Sequence, residues 1–138
     1  MSSYLNIYLV PKRKGNREKK KHLLLSSYSR NSDIYGIFYE NISPIFSGNG
    51  DTCTPLTKVN VQGMLDDLDE SIKSTKEMLD LYDKYAKDNP DYIQEIIGTR
   101  EILKDYQSTY NMVEVLKDIL EDTMNGYNDF EEMCCNIN

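Results

Sequence analysis

A chain of 138 residues, of which 39% are hydrophobic and 28% charged, has the length and composition of one folded domain. This apolar content excludes wholesale disorder, and no segment approaches the ~20 consecutive apolar residues that a membrane span requires. The first residues lack a basic stretch before their short apolar run, so a signal peptide is not expected.

The charge of the chain is divided unevenly between its two halves. Residues 1–59 carry nine Lys and Arg against four acidic residues, whereas residues 60–138 carry seven against nineteen. The net charges are therefore +5 and −12, which together give the net −7 of the chain. This asymmetry predicts two surfaces with different partners, or a head-to-tail contact between copies.

The N-terminal part is predicted to form a β-hairpin followed by a short helix. Residues 4–10 alternate as a strand does, with Leu5, Ile7 and Leu9 on one face, and residues 22–28 form a second apolar run of strand length. Ser32 or Asn31 is positioned to cap a helix over residues 33–40, whose apolar face holds Ile34, Ile37 and Phe38. Residues 41–58 have the composition of a loop.

A basic loop connects the two predicted strands. Its candidate anion-binding residues are Lys12, Arg13, Lys14, Arg17, Lys19, Lys20 and Lys21. They could bind phosphates of a nucleic acid, or an acidic protein surface such as the helices of another copy. The alternative is a solvated loop that prevents edge-to-edge aggregation of the hairpin.

A seven-residue apolar repeat begins near residue 60 and predicts two long helices. The first stripe runs from Val61 to Ala86 and the second from Tyr92 to Val113, with a break at residues 88–91. Facing positions of the two stripes have residue numbers that add to 178 throughout, as an antiparallel hairpin turning at residue 89 requires. Pro90 suits a first helical turn, and Gly126 suits a helix C-terminus.

Beyond Val113 the apolar stripe widens, which predicts that this end of the second helix docks on the β-hairpin and short helix. The widened stripe consists of Val115, Leu116, Ile119, Leu120 and Met124. Residues 126–138 are predicted to form an acidic tail with at most a short amphipathic turn through Phe130, Met133 and Cys134.

The turn end of the hairpin, here called the tip, carries apolar residues outside the paired stripes. We call the set of Met78, Leu81, Tyr85, Ile93 and Ile97 the tip patch. At 100° per residue, its members on the two helices lie on opposite flanks of the seam, and a two-helix hairpin cannot bury both flanks. The tip patch is therefore predicted to bind another protein or a second copy, and packing on the chain's own N-terminal part is the alternative.

No motif for catalysis, cofactor binding or metal binding is present in the sequence. The single histidine, His22, is expected to be exposed or capping, and the acidic cluster at residues 66–70 is expected to be a solvated helix face. The chain contains an odd number of cysteines, and their spacing does not match a disulfide framework, so free thiols in a reducing compartment are expected. The three residues are Cys53, Cys134 and Cys135.

These observations predict an α+β fold, mainly α, in which an N-terminal β-hairpin with a short helix packs on one end of a long antiparallel helical hairpin. The predicted segments of this single folding unit are 1–59, 60–125 and 126–138. The predicted function is a non-enzymatic interaction or assembly protein with no cofactor. The alternative is a nucleic-acid-binding accessory protein that acts through residues 12–21.

The abundance of Asn, Ile, Lys, Asp and Tyr is a bias that AT-rich coding produces, and in composition the chain resembles short proteins of many phages. A phage origin would make the protein a virion or assembly component, or a small inhibitor of a larger protein. The expected location is the cytoplasm, or the virion for a phage protein.

Overall fold

The helical hairpin is the largest feature of the computed structural model, which describes residues 4–12, 22–42 and 53–137. Its two helices, α2 (Lys58–Ala86) and α3 (Tyr92–Met124), pack along the predicted seam. The elements that precede them are β1 (Tyr4–Pro11), β2 (Leu23–Ser29), α1 (Asp33–Ile42) and β3 (Thr54–Pro55), and β4 (Phe130–Ile137) follows them. The predicted α+β fold is thereby confirmed.

The seam of the hairpin consists of the residues that the heptad pattern predicts. Val61, Leu65 and Leu68 of α2 and Ile96 and Val113 of α3 are buried. Thr75 and Thr99, at seam positions, are also buried. The hydroxyl of Thr75 donates to the Ser71 carbonyl oxygen at 2.7 Å and is therefore satisfied within its own helix.

The ends of the helices follow from local sequence. The side-chain oxygen of Thr57 accepts a hydrogen bond from the backbone N–H of Asn60 and caps α2. In the turn, the side-chain oxygen of Asn89 accepts from the backbone N–H of Asp91 at 3.1 Å. Helix α3 ends before Gly126, whose φ of 74° only glycine adopts at little cost, as predicted.

A four-stranded antiparallel sheet in the order β2-β1-β4-β3 covers one end of the hairpin. On its inner face, Leu5, Ile7 and Leu9 of β1 are buried against the helices, as predicted. On its outer face, Asn6 donates to the side chain of Asn136 at 3.2 Å and accepts from the hydroxyl of Ser27 at 2.7 Å. These two hydrogen bonds join β1 to β2 and to β4 and fix the register of the three strands.

Helix α1 fills the space between the sheet and α2. Its buried residues Ile34, Phe38 and Ile42 belong to the main core, and Ile37 is partly buried against them. The side-chain amide of Asn41 donates to the Ile37 carbonyl oxygen at 2.8 Å and to the Asp67 carboxylate at 3.2 Å, which joins α1 to α2.

The prediction for the C-terminal tail is wrong. Residues 130–137 form β4, which lies between β1 and β3, and Met133, Cys134 and Cys135 are buried. The amphipathic turn was expected because adjacent acidic residues interrupt any strand-like alternation in this segment. Pairing with strands on both sides overrides that weak local preference.

The widened stripe of α3 is partly buried, which agrees with the prediction that this end of α3 docks on the β-strands and the short helix. Leu116 and Leu120 belong to the core and Ile119 packs against it. Val115 and Met124, however, are 57% and 58% exposed, so these two residues lie outside the contact with the sheet.

Candidate interaction surface

The tip patch is exposed in the monomer. The exposed fractions are 47% for Met78, 52% for Leu81, 51% for Tyr85, 50% for Ile93 and 48% for Ile97. Because α1 and the sheet pack at the other end of the hairpin, the described residues of the chain do not cover this surface. The alternative of packing against the chain's own N-terminal part is therefore excluded for the residues that the structure describes.

One flank of the tip is broader than the sequence analysis predicted. Ile102 is 50% exposed, and at 100° per residue it falls on the flank that holds Met78, Leu81 and Tyr85. We call these four residues the broad flank. The Tyr85 ring also packs on Tyr92 of the seam, with ring centroids 5.7 Å apart, which anchors the broad flank to the hairpin. Ile102 was missed because only the flank of α3 that holds Ile93 and Ile97 was considered.

The charge at the tip is nearly balanced. Residues 71–105 contain six of the seven basic residues of the second half of the chain and eight acidic residues, for a net charge of −2. Residues 60–70 and 106–138 contain one basic residue and eleven acidic residues, for a net charge of −10. The tip therefore carries little net charge that would repel a partner.

The acidic end of the hairpin affects the seam tyrosine Tyr110. Desolvation, together with the carboxylates of Glu114, Asp69 and Asp66, raises the pKa of Tyr110 above its ordinary value. The carboxylates of both helices therefore create a negative potential at this end of the seam.

Residues 13–21 of the predicted basic loop lie outside the described residues. Lys12 is described and exposed, and its backbone N–H donates to the Asp129 carbonyl oxygen at 3.0 Å. Binding of nucleic acid or of an acidic protein by Lys12, Arg13, Lys14, Arg17, Lys19, Lys20 and Lys21 stays a prediction.

Two open grooves lie away from the tip. One, with a volume of about 250 Å³, runs between β2 and α3 and is lined by apolar side chains that include Leu25, Met112 and Val115. The other, of about 420 Å³, is lined by Glu40, Asp67 and several hydroxyl groups.

The prediction of three free thiols is wrong for two of the cysteines. Cys53 and Cys134 form a disulfide across 81 residues, with their Cα atoms 5.5 Å apart. The pairing of Pro55 with Cys134 in the sheet brings Cys53 beside its partner. Because β4 was not recognised in the sequence, this proximity could not be predicted.

Cys135 is a free thiol, and its side chain lies on the inner face of the sheet. It is fully buried, and this burial raises the pKa of the Cys135 thiol to about 12. A buried, protonated thiol is a poor nucleophile, so Cys135 acts as a core side chain.

Alkylation under three conditions tests this assignment of the cysteines. We expect iodoacetamide to modify no cysteine in the folded, air-oxidised protein, one cysteine in denaturant, and all three in denaturant with a reductant. Intact-mass spectrometry counts the added groups. Three modifications in denaturant without a reductant would contradict the disulfide.

His22 lies beside the disulfide. A ring nitrogen of His22 and the sulfur atoms of Cys53 and Cys134 all lie within 4.8 Å of one another. His22 is exposed, as predicted, and its ring centroid is 6.3 Å from that of Tyr8. No sequence pattern links the members of this group, because they come from separate strands or strand ends.

Comparison of the chain with protein-family models, with curated proteins and with solved structures finds no match. Within the described parts of the chain, none of the helices has the length and apolar character needed to cross a membrane.

Proposed function

We propose that this protein is a non-enzymatic assembly protein that associates with a second copy of itself through the tip of its helical hairpin. The observation that carries the proposal is the half-exposure of all five tip-patch residues at the end farthest from the sheet. Apolar residues clustered in this way are typical of protein–protein contacts.

The broad flank is the best candidate for the contact between copies. It combines two aliphatic side chains, a methionine and a tyrosine, and large apolar and aromatic side chains dominate the buried centres of interfaces. The opposite flank is narrower: Ile93 and Ile97 are its exposed apolar residues, and the α2 positions on that side, by helical periodicity, include Lys76, Asp80 and Asp83.

The distribution of charge favours an antiparallel arrangement of the two hairpins. With the tips overlapping, the nearly neutral segments meet, and the far ends of the two hairpins point away from each other. A two-fold axis through the broad flank would bring each of its residues against the same surface of the partner, as in most homodimers. The product is a four-helix contact with a sheet module at each end.

Sedimentation velocity over a range of concentrations tests the proposal. We expect concentration-dependent dimers for the wild type and a monomer for Leu81→Asp. Burial of one leucine contributes roughly 1.5–3 kcal/mol. Because a symmetric contact contains the substitution twice, the dissociation constant should rise at least about 100-fold.

Two further variants serve as controls for the surface. Gln94→Asp adds the same charge at an exposed position that helical periodicity places on the outer side of α3, and it should leave the dimer intact. Ile97→Asp, on the narrow flank, should have a smaller effect than Leu81→Asp. A wild-type monomer at all concentrations would refute the proposal, and a larger effect of Ile97→Asp would refute the choice of flank.

The proposed location is the cytoplasm, or the virion if the chain is phage-encoded. A disulfide is more typical of oxidising compartments, because cytosolic thiols are kept reduced. The behaviour of the Cys53–Cys134 pair after reduction is therefore important for the protein in its proposed location.

A further inference from the structure

The side chains of His22, Cys53 and Cys134 converge on the outer face of the sheet. His22 directly precedes β2, Cys53 directly precedes β3, and Cys134 lies within β4. Residue Tyr8 of β1 pairs with Leu24 on one side and with Cys134 on the other, so the sheet itself sets the spacing of the group. The three donor atoms lie within 4.8 Å of one another.

Two sulfur atoms and one imidazole nitrogen are a donor set that suits Zn²⁺. Zinc bonds to thiolate sulfur at about 2.3 Å and to histidine nitrogen at about 2.0–2.1 Å, in tetrahedral geometry. Donor atoms on neighbouring corners of such a tetrahedron are separated by roughly 3.3–3.8 Å. The three donor atoms lie within 4.8 Å of one another, which is close enough for these separations once the bond between the two sulfur atoms is opened.

We propose that the reduced form of the protein binds one Zn²⁺ ion through Cys53, Cys134 and His22, with a water molecule in the fourth position. A cellular thiol, or a phosphine in the experiment, supplies the two electrons that break the S–S bond, and two protons convert the sulfurs to thiols. Zinc then displaces both thiol protons and bonds to two thiolates and to neutral imidazole.

The access and chemistry of the group fit this assignment. His22 is exposed and Cys53 partly exposed, so an ion can enter from solvent, while Cys134 is buried and gives the site a fixed wall. Cys135, the neighbour of Cys134, has its side chain on the opposite face of the sheet and cannot take part.

The ion would link the two segments that the disulfide joins. The disulfide holds the two-residue strand β3 against β4, and reduction removes that covalent link. A metal bound by the same two sulfurs would hold the same two segments together where the disulfide does not persist. Metal binding would thus replace the disulfide in holding β3 against β4. It does not depend on the proposed self-association.

Cobalt and zinc titrations of the full chain test the proposal. The protein is reduced with a phosphine under anaerobic conditions and titrated with Co²⁺. We expect one equivalent to bind with the visible absorption of tetrahedral cobalt and a thiolate-to-metal charge-transfer band, and Zn²⁺ to displace it. Two protons should be released per ion, and the air-oxidised protein should bind neither metal at this site.

Substitutions identify the ligands. His22→Ala changes an exposed side chain, so the fold should persist, and the affinity for Zn²⁺ should fall at least tenfold. Cys53→Ser should abolish the charge-transfer band or halve its intensity. Cys135→Ala, a control that also removes one thiol, should retain one equivalent of tightly bound metal.

Either of two results would overturn the proposal. The first is a reduced wild-type protein that binds no Co²⁺ or Zn²⁺ at micromolar concentrations. The second is a His22→Ala variant whose zinc affinity and cobalt spectrum equal those of the wild type. Circular dichroism of each reduced variant confirms that loss of binding is measured on folded protein.

Discussion

Deletion of residues 130–138 should prevent the chain from folding cooperatively. Strand β4 pairs with both β1 and β3, so its loss leaves one side of β1 unpaired and exposes Leu5, Ile7 and Leu9. It also removes Met133 and Cys135 from the core. These losses exceed about 5 kcal/mol, which is comparable with the 5–15 kcal/mol stability of a typical domain.

A single substitution in β4 tests the same point without shortening the chain. Met133→Asp places a charge at a fully buried position and should destabilise the protein by about 4 kcal/mol or more. Glu131→Ala, at an exposed position of the same strand, should change the stability by less than about 0.5 kcal/mol. Urea unfolding followed by circular dichroism measures all three variants. A cooperative transition of wild-type stability after the deletion would contradict the central position of β4.

Phe38→Ala should be the most destabilising truncation of a side chain in α1. Phe38 is fully buried between the sheet and the helical hairpin, and alanine in its place leaves a cavity. Substitutions of this kind cost about 3–5 kcal/mol. For a chain of this length, the melting temperature should fall by roughly 10 °C or more.

The neighbouring residue provides a matched control. Tyr39 is 52% exposed, so Tyr39→Ala removes an aromatic ring from the same helix while leaving the core intact. We expect a change of less than about 0.5 kcal/mol, measured by thermal and urea unfolding. Similar losses of stability for the two variants would show that α1 does not pack as described.

The helical hairpin could be predicted from sequence because its signal is local and repeated. Positions such as Leu65, Leu68 and Val113 recur at heptad spacing, and the break at residues 88–91 fixes the antiparallel turn. The same regularity isolated Leu81 and Ile97 as apolar residues outside the seam, and both are exposed in the structure.

Only two of the four described strands, β1 and β2, could be predicted from the sequence, and the reason is physical. Strand β1 carries apolar alternation and β2 contains an apolar run of strand length, whereas β4 contains Glu131, Glu132 and Asn136 and becomes a strand through its partners. Its partner β1 is more than 100 residues away, as the hydrogen bond between Asn6 and Asn136 illustrates. Pairing at such a distance leaves no pattern in a single sequence.

The error in the predicted state of the cysteines follows from the missing strand. Without β4, nothing placed Cys53 near Cys134, and His22 remained an isolated histidine. The group on the outer face is therefore a product of tertiary structure, whereas the tip patch is a product of helical periodicity.

Distances between spin labels in the assembled protein test the proposed tip-to-tip contact most directly. Nitroxide labels at Asp88→Cys, near the turn, and at Met124→Cys, at the far end of α3, would be measured in separate samples. The only native free thiol, among the three cysteines, is the buried Cys135, so labelling should be specific. At 1.5 Å per residue, overlap of the broad flanks puts the tip labels about 25 Å apart and the far labels more than roughly 70 Å apart. Absence of the short tip distance, or an equally short distance between the far labels, would contradict the account.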